Sequence, residues 1–136
     1  MSPLSSSENL ALVRAAYAAH RDRDLDAFLG VFAPDAEWVH PDGMADYGLG
    51  GTQRGHAGIK EFLARVPQHV GGMVLDPQEF IVSGDRVVVL GLRDVTNKRG
   101  RTRTLKFLHV WTVRDGKAVR MEDVFDTVAF QRLLQE

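Results

Sequence analysis

The sequence contains no cysteine, which excludes disulfides, thiolate nucleophiles and zinc sites built on cysteine. It also lacks any run close to the roughly 20 apolar residues of a membrane-spanning helix. The formal net charge is only -1, so no strong positive field is present to hold the phosphates of a nucleic acid. We therefore expect neither a nucleic-acid partner nor insertion into a membrane.

What the chain does contain is typical of one soluble domain. It has 136 residues, of which 44% are hydrophobic and 26% charged. We expect a single domain over residues 1–136, with residues 1–7 flexible. Residues 1–7 show neither the basic start nor the apolar run of a signal peptide, so we expect a cytoplasmic protein.

The first half of the sequence predicts three helices. Ser5-Ser6-Ser7-Glu8 has the pattern of a capping box before apolar residues at helical spacing, which predicts a helix over residues 8–20. Asp24 can cap a second helix ending near Phe32. The third helix covers Ile59 to Val66 and stops before Pro67, while residues 37–40 read as a short strand and 44–55 as an irregular loop.

The second half predicts four strands, over residues 73–82, 86–96, 103–113 and 118–126, followed by a short closing helix. Turn sequences such as Ser83-Gly84-Asp85 and Asp115-Gly116-Lys117 join them, which predicts antiparallel hairpins. Helices followed by a meander favour an α+β fold in which the sheet bends around the helices.

Both faces of the strand from Arg103 are apolar enough to need cover. Phe107, His109 and Trp111 point to one side, and Leu108 and Val110 to the other. One face can pack on the helices. A second copy of the chain is the natural cover for the other, so we expect a homodimer.

The order of these motifs resembles the ketosteroid isomerase-like proteins related to nuclear transport factor, and the SnoaL-like enzymes among them. The likeness covers nearly the whole chain and is carried by Tyr17, Asp24-Leu25-Asp26, Phe32-Ala33-Pro34-Asp35-Ala36-Glu37-Trp38, Arg54-Gly55-His56 and Glu122-Asp123-Val124-Phe125-Asp126-Thr127. It implies a cone-shaped α+β barrel, in which three N-terminal helices pack in a curved, mixed, mainly antiparallel sheet. The fold alone does not fix a reaction.

The resemblance also implies roles for individual residues. Tyr17 corresponds to the ketosteroid isomerase tyrosine that donates a hydrogen bond to the substrate, His40 to the aspartate base and His109 to the protonated aspartate of the oxyanion hole. Asp123 corresponds to the acid/base aspartate of the SnoaL-like cyclases. In the epoxide hydrolases, Asp123 corresponds to one catalytic aspartate and Asp94 to the other. The arginine that lies between those two aspartates corresponds to Leu92 in this chain. Arg93 could supply the missing charge if the strand bulges.

The expected catalytic set consists of Tyr17, His40, His109 and Asp123. We expect these residues to surround a cavity that binds a small apolar ligand. A histidine pair can exchange protons near neutral pH, and we expect desolvation to raise the pKa of Asp123 until it becomes a usable base. No metal and no cofactor is expected, since His40, Asp42, Asp46 and His56 match no compact metal motif. The expected substrate-binding residues are Trp38, Phe107, Trp111, Met121, Phe125 and Asp94.

Three functions follow as hypotheses. The first is a SnoaL-like, cofactor-independent enzyme that isomerises, cyclises by an aldol-type step or dehydrates an apolar carbonyl compound such as a polyketide or terpenoid intermediate. The second is an epoxide hydrolase of the limonene epoxide hydrolase type, using Asp94 with Asp123. The third is a non-catalytic module for ligand binding or dimerisation. Which carboxylates face the cavity distinguishes the two enzyme hypotheses. A cavity filled by the protein's own side chains would favour the non-catalytic module.

Overall fold

The helices of the computed structural model, which describes residues 6–136, lie mainly in the first half of the chain. They are α1 (Ser6–Arg21), α2 (Leu25–Gly30), α3 (Gly55–Arg65) and α4 (Thr127–Gln135), with two 3₁₀ helices over Asp42–Tyr47 and Val66–Gln68. The expected flexible segment 1–7 overlaps α1 by two residues. Residues 1–5, which include Ser5 of the predicted capping box, lie outside the described residues.

Six strands form one sheet: β1 (Phe32–His40), β2 (Gly51–Arg54), β3 (Val70–Ser83), β4 (Arg86–Asn97), β5 (Thr102–Arg114) and β6 (Lys117–Val124). Their order is β2-β1-β6-β5-β4-β3, so the sheet is open and has β2 and β3 at its edges. Only the β1–β6 pairing is parallel. The expected α+β fold with a curved, mixed, mainly antiparallel sheet is confirmed.

Local signals explain most of the element boundaries. The Asp24 side chain accepts a hydrogen bond from the Ala27 amide and so caps α2, as predicted. Asp115 and Gly116 have positive φ angles of 51° and 75° at the tip of the β5–β6 hairpin. Asp126 caps α4 through the Ala129 amide.

Three expectations in the middle of the chain are wrong. The second helix ends at Gly30, and β1 begins at Phe32 rather than at residue 37. The strand tolerates Pro34 because its pairing with β6 shifts register between Phe32 and Glu37. The supposed irregular loop holds a 3₁₀ helix and β2, a strand that exists only through its pairing with β1.

The concave face of the sheet packs against the helices and carries the core. On β5 the residues Phe107, His109, Trp111 and Val113 are all buried, which confirms the predicted inward face. Thr112, which stands at a register shift in the pairing with β6, is buried as well. Residues 6–136 contain no helix that is long and apolar enough to cross a membrane.

Candidate active site

A cavity of about 610 Å³ lies between the helices and the concave face of the sheet. Tyr17 reaches it from α1, His40 from β1, His109 from β5 and Asp123 from β6. The structure thus brings all four residues of the expected catalytic set to one cavity. The exposed residues among those lining it mark the mouth, which lies between the α1–α2 turn (Arg21, Arg23, Asp24, Leu25) and the start of β3 (Gly71, Val74).

Asp123 is the centre of a buried cluster of polar side chains. Its carboxylate accepts two hydrogen bonds from Arg93, at 2.8 Å from Nη1 and 3.2 Å from Nη2. His40 Nε2 lies 3.4 Å from Oδ2, and His109 Nε2 lies 3.3 Å from Oδ1. Arg93 thus occupies two of the roughly four acceptor positions of the carboxylate, and the two histidine nitrogens lie at slightly longer distances.

The protonation of Asp123 differs from the sequence-based expectation. Burial alone would raise the pKa of its carboxyl group, but the contacts of the two histidines and the charge of Arg93 outweigh burial. The pKa of Asp123 is therefore held well below its usual value. The expectation that Asp123 is a desolvated base with a raised pKa is wrong, because the contacts of His109 and His40, together with the charge of Arg93, outweigh desolvation.

His40 has one engaged and one unengaged ring nitrogen. Nε2 faces Asp123, while Nδ1 is buried without a hydrogen-bond partner among residues 6–136. Burial lowers the pKa of His40, and this effect exceeds the opposing effect of Asp123. We infer that the neutral ring carries its hydrogen on Nε2 and keeps a lone pair on Nδ1, because a buried N–H without an acceptor would be costly.

His109 links Asp123 to a second chain of hydrogen bonds. Its Nδ1 lies 2.6 Å from the Tyr17 hydroxyl, and the indole N–H of Trp111 donates to the same hydroxyl oxygen at 3.1 Å. With neutral His109 the network is satisfied when Tyr17 donates to Nδ1 and Nε2–H points at Asp123. Burial raises the pKa of the Tyr17 hydroxyl well above its usual value, so Tyr17 is present as the phenol.

Aromatic rings surround this cluster. His40 packs on Phe62 and Trp38, with ring centroids 4.3 and 5.2 Å apart. The Arg93 guanidinium lies 4.5 Å from the centre of the Phe125 ring. The low-polarity wall strengthens every electrostatic contact inside the cavity.

Four of the six expected substrate-binding residues line the cavity, namely Trp38, Trp111, Met121 and Phe125. Phe107 is buried but is not part of the lining, since its ring lies against the His109 ring at 4.2 Å. The expectation for Asp94 is wrong. Its side chain is exposed on the convex face of the sheet, where Thr104 Oγ1 donates a hydrogen bond to it at 2.6 Å.

Arg93 is the site residue that the sequence analysis placed incorrectly. The alternation along β4 puts Val87, Val89 and Val95 inside, and Arg93 shares their face. The strand runs without a bulge in its pairing with β5, so the phase set by those valines identifies Arg93 directly. Among residues 6–136, no group of three or more histidine, aspartate or glutamate side chains has a geometry that could hold a metal ion.

Comparison with known proteins identifies the family. The family model of the SnoaL-like domain matches residues 13–121. The chain belongs to the SnoaL-like domain family. The resemblance inferred from the sequence is thereby confirmed, while none of the curated proteins searched matches the chain.

Solved structures agree with this assignment. TerC, co-crystallized with polyporic acid, is 61% identical, with 95% of this chain and 99% of TerC covered and a TM-score of 0.93. An NTF2-like protein of unknown function from Burkholderia pseudomallei is 49% identical over 100% of both chains, also with a TM-score of 0.93. A putative polyketide cyclase from Xanthomonas campestris shares the fold, with a TM-score of 0.78. It is 21% identical, and the match covers 96% of this chain and 99% of the cyclase.

Proposed function

We propose that this protein is a cofactor-independent acid/base enzyme that acts on an apolar carbonyl compound. The observation that carries the proposal is the His40–Asp123–His109 cluster, which is buried in a cavity large enough for a small organic molecule. Histidines exchange protons near neutral pH, and a buried carboxylate that contacts both rings fixes their orientation. Isomerisation, aldol-type cyclisation and dehydration all lie within this chemistry.

In this mechanism His40 is the base. Its Nδ1 carries a lone pair that no group among residues 6–136 occupies, and the Nε2–H contact with Asp123 stabilises the imidazolium that forms when Nδ1 takes a proton. Nδ1 is buried in this structure, so the mechanism requires a movement of the ring or of the cavity wall that brings it into contact with the substrate. Asp123 stays ionised throughout, as its lowered pKa requires. Asp123 is thus a positioning residue rather than the proton shuttle that the resemblance implied.

His109 and Tyr17 form the acid side of the site. When His109 is protonated, its Nδ1–H donates to the Tyr17 oxygen, and the Tyr17 hydroxyl becomes free to donate to a substrate oxygen. The Trp111 N–H supports the same oxygen. An enolate formed by His40 would then receive a hydrogen bond where its negative charge develops.

The protons balance in each candidate reaction. In an isomerisation, His40 removes a proton beside the carbonyl group and returns it to another carbon. In an aldol-type cyclisation, the enolate carbon forms a bond to a second carbonyl, whose oxygen takes a proton from the acid side. In a dehydration, the C–H and C–O bonds break and the leaving hydroxide takes that proton to become water. In the last two reactions, exchange with solvent then removes the proton from His40 and returns one to His109.

The similarity to TerC narrows the ligand class. TerC was co-crystallized with polyporic acid, a flat quinone that carries hydroxyl, carbonyl and phenyl groups. We propose that this chain also binds oxygenated aromatic carbonyl compounds, which suits a cavity lined by Trp38, Phe62 and Trp111. Both tryptophans of the chain line the cavity, so quenching of their fluorescence measures binding.

Deuterium exchange on 2-tetralone, a ketone with acidic C–H bonds beside its carbonyl group, tests the proposal. We expect the protein to accelerate deuterium incorporation from D₂O, followed by proton NMR, and polyporic acid to inhibit it. Binding of polyporic acid without any acceleration would instead favour the ligand-binding module. Neither binding nor acceleration would refute both the reaction and the ligand class.

The alternative reaction, epoxide hydrolysis, has weaker support. The bidentate Arg93–Asp123 pair supplies part of the set that the resemblance implied. The second aspartate is missing from the cavity, because Asp94 faces solvent and the inward neighbours of Arg93 on β4 are Gly91 and Val95. Neither of these neighbours can exchange a proton.

We also propose that the protein is a homodimer formed through the convex face of the sheet. Ile81, Val88 and Val110 form one cross-strand row on this face, and Leu90, Leu108 and Val124 form the next. Leu90, Ile81 and Val124 remain 38%, 46% and 43% exposed. We call these six residues the convex patch, which a second copy would cover. The cytoplasmic location of the protein stays a prediction.

A further inference from the structure

His20 is a third histidine in the cavity and was not identified by the sequence analysis as a site residue. It lies three residues after Tyr17 on α1, so both side chains share the inward face of the helix. The exposure of successive cavity residues rises from the buried Tyr17 through the partly buried His20 to the exposed Arg21. His20 therefore lies between the Asp123 cluster and the mouth.

The ring of His20 differs from those of His40 and His109 in its contacts. The other two rings contact Asp123, whereas no hydrogen bond or ion pair within the described part of the chain involves the His20 ring. Its neighbour is an apolar ring, that of Phe28, in an edge-on contact with centroids 6.2 Å apart. A partly buried polar ring that faces a cavity without a protein partner is free to bond a ligand.

The charges around His20 favour its neutral form. Burial lowers its pKa, and repulsion from His109 and Arg23 lowers it further. A neutral imidazole offers one N–H donor and one acceptor nitrogen. It can therefore donate to a carbonyl oxygen or accept from a hydroxyl group.

We propose that His20 binds an oxygen atom on the outer side of the ligand, remote from the group that meets His40 and Tyr17. The proposal rests on the proposed function and deepens it. It defines the ligand class as molecules with carbonyl or hydroxyl oxygens on two opposite sides of an apolar frame. His20 then selects among apolar ligands that would otherwise fit the same walls.

Polyporic acid has oxygens on both sides of its central ring and is the probe for the test. The measurement is its dissociation constant, from tryptophan quenching, for the wild type, His20→Phe and His20→Gln. The control is His69→Phe, because His69 is partly buried against Tyr47 and outside the cavity lining. Thermal melting checks that each variant is folded.

We expect His20→Phe to weaken binding by about threefold to tenfold, the usual effect of one hydrogen bond. His20→Gln should restore most of the affinity because it keeps a donor and an acceptor, and His69→Phe should change nothing. If His20 is only part of the wall, His20→Phe will bind as well as or better than the wild type, which overturns the inference. If the folded wild type does not bind polyporic acid, the proposed ligand class fails, and this inference fails with it.

Discussion

Each face of the sheet contains some side chains that are unusual for their surroundings. The concave face buries an arginine, an aspartate and two histidines within its apolar core. The convex face leaves apolar side chains such as Ile81 and Leu90 in contact with solvent. Buried charge and exposed apolar surface are both unfavourable in an isolated chain. The proposed ligand inside and the proposed second copy outside would each account for one face.

The largest expected effect is a loss of activity when Asp123 is changed but not when Asp94, on the convex face, is changed. Asp123→Asn removes the negative charge that stabilises a protonated His40, so we expect deuterium exchange on 2-tetralone to fall about 10²- to 10⁴-fold. Asp94→Asn should leave the rate within about twofold, because Asp94 bonds only to Thr104 among the described residues. Equal rates in the two variants would show that the buried carboxylate has no role in the chemistry.

The next effect concerns stability. Arg93→Met leaves the Asp123 carboxylate buried without its strongest partner, and breaking a buried pair in this way costs about 3–5 kcal/mol. Urea denaturation measures the loss. Arg120→Met is the matched control, since Arg120 pairs with Glu37 on a part of the sheet that is only half-buried, and we expect a much smaller change. If both variants lose the same free energy of unfolding, the buried Arg93–Asp123 pair is no more important for stability than the Arg120–Glu37 pair, which would contradict the prediction.

Leu90→Lys tests the convex patch. A lysine in the middle of the patch would be buried without a partner in the dimer, so we expect the dimer dissociation constant to rise by at least about tenfold. Light scattering over a concentration series measures the molar mass. The matched change Lys106→Leu on the same face should not weaken the dimer. A wild-type chain that is monomeric at all concentrations refutes the proposal.

The smallest effect is a change in how stability depends on pH. The pKa of His40 is lower in the folded state, so its contribution is complete above the unfolded value of about 6.5 and is lost as the pH falls below it. Asp123 acts in the same direction below about pH 4, since its folded pKa is also lowered. We expect His40→Gln to flatten the decline in unfolding free energy between pH 7 and pH 5. An unchanged slope would show that His40 is not held neutral by burial.

The sequence was sufficient for the concave face where a repeating pattern was strong. Alternation along β5 correctly placed His109 between Phe107 and Trp111, and turn residues located each hairpin. It was insufficient where tertiary contacts decide the outcome. Strand β2 exists through pairing with β1, and the pKa of Asp123 depends on His109, His40 and Arg93, which lie on other strands. The pattern of α1 predicts the helix but not the role of His20, because nothing in a single helix shows which face borders a cavity.

The protonation state of His40 tests the central claim most directly, because the account requires a base whose free nitrogen is Nδ1. Nitrogen-15 NMR of histidine-labelled protein at pH 7, with His40→Gln used to assign the signal, distinguishes the two ring nitrogens. We predict a neutral His40 with its hydrogen on Nε2 and an unprotonated Nδ1. A protonated Nδ1 at this pH would contradict the assignment of His40 as the base.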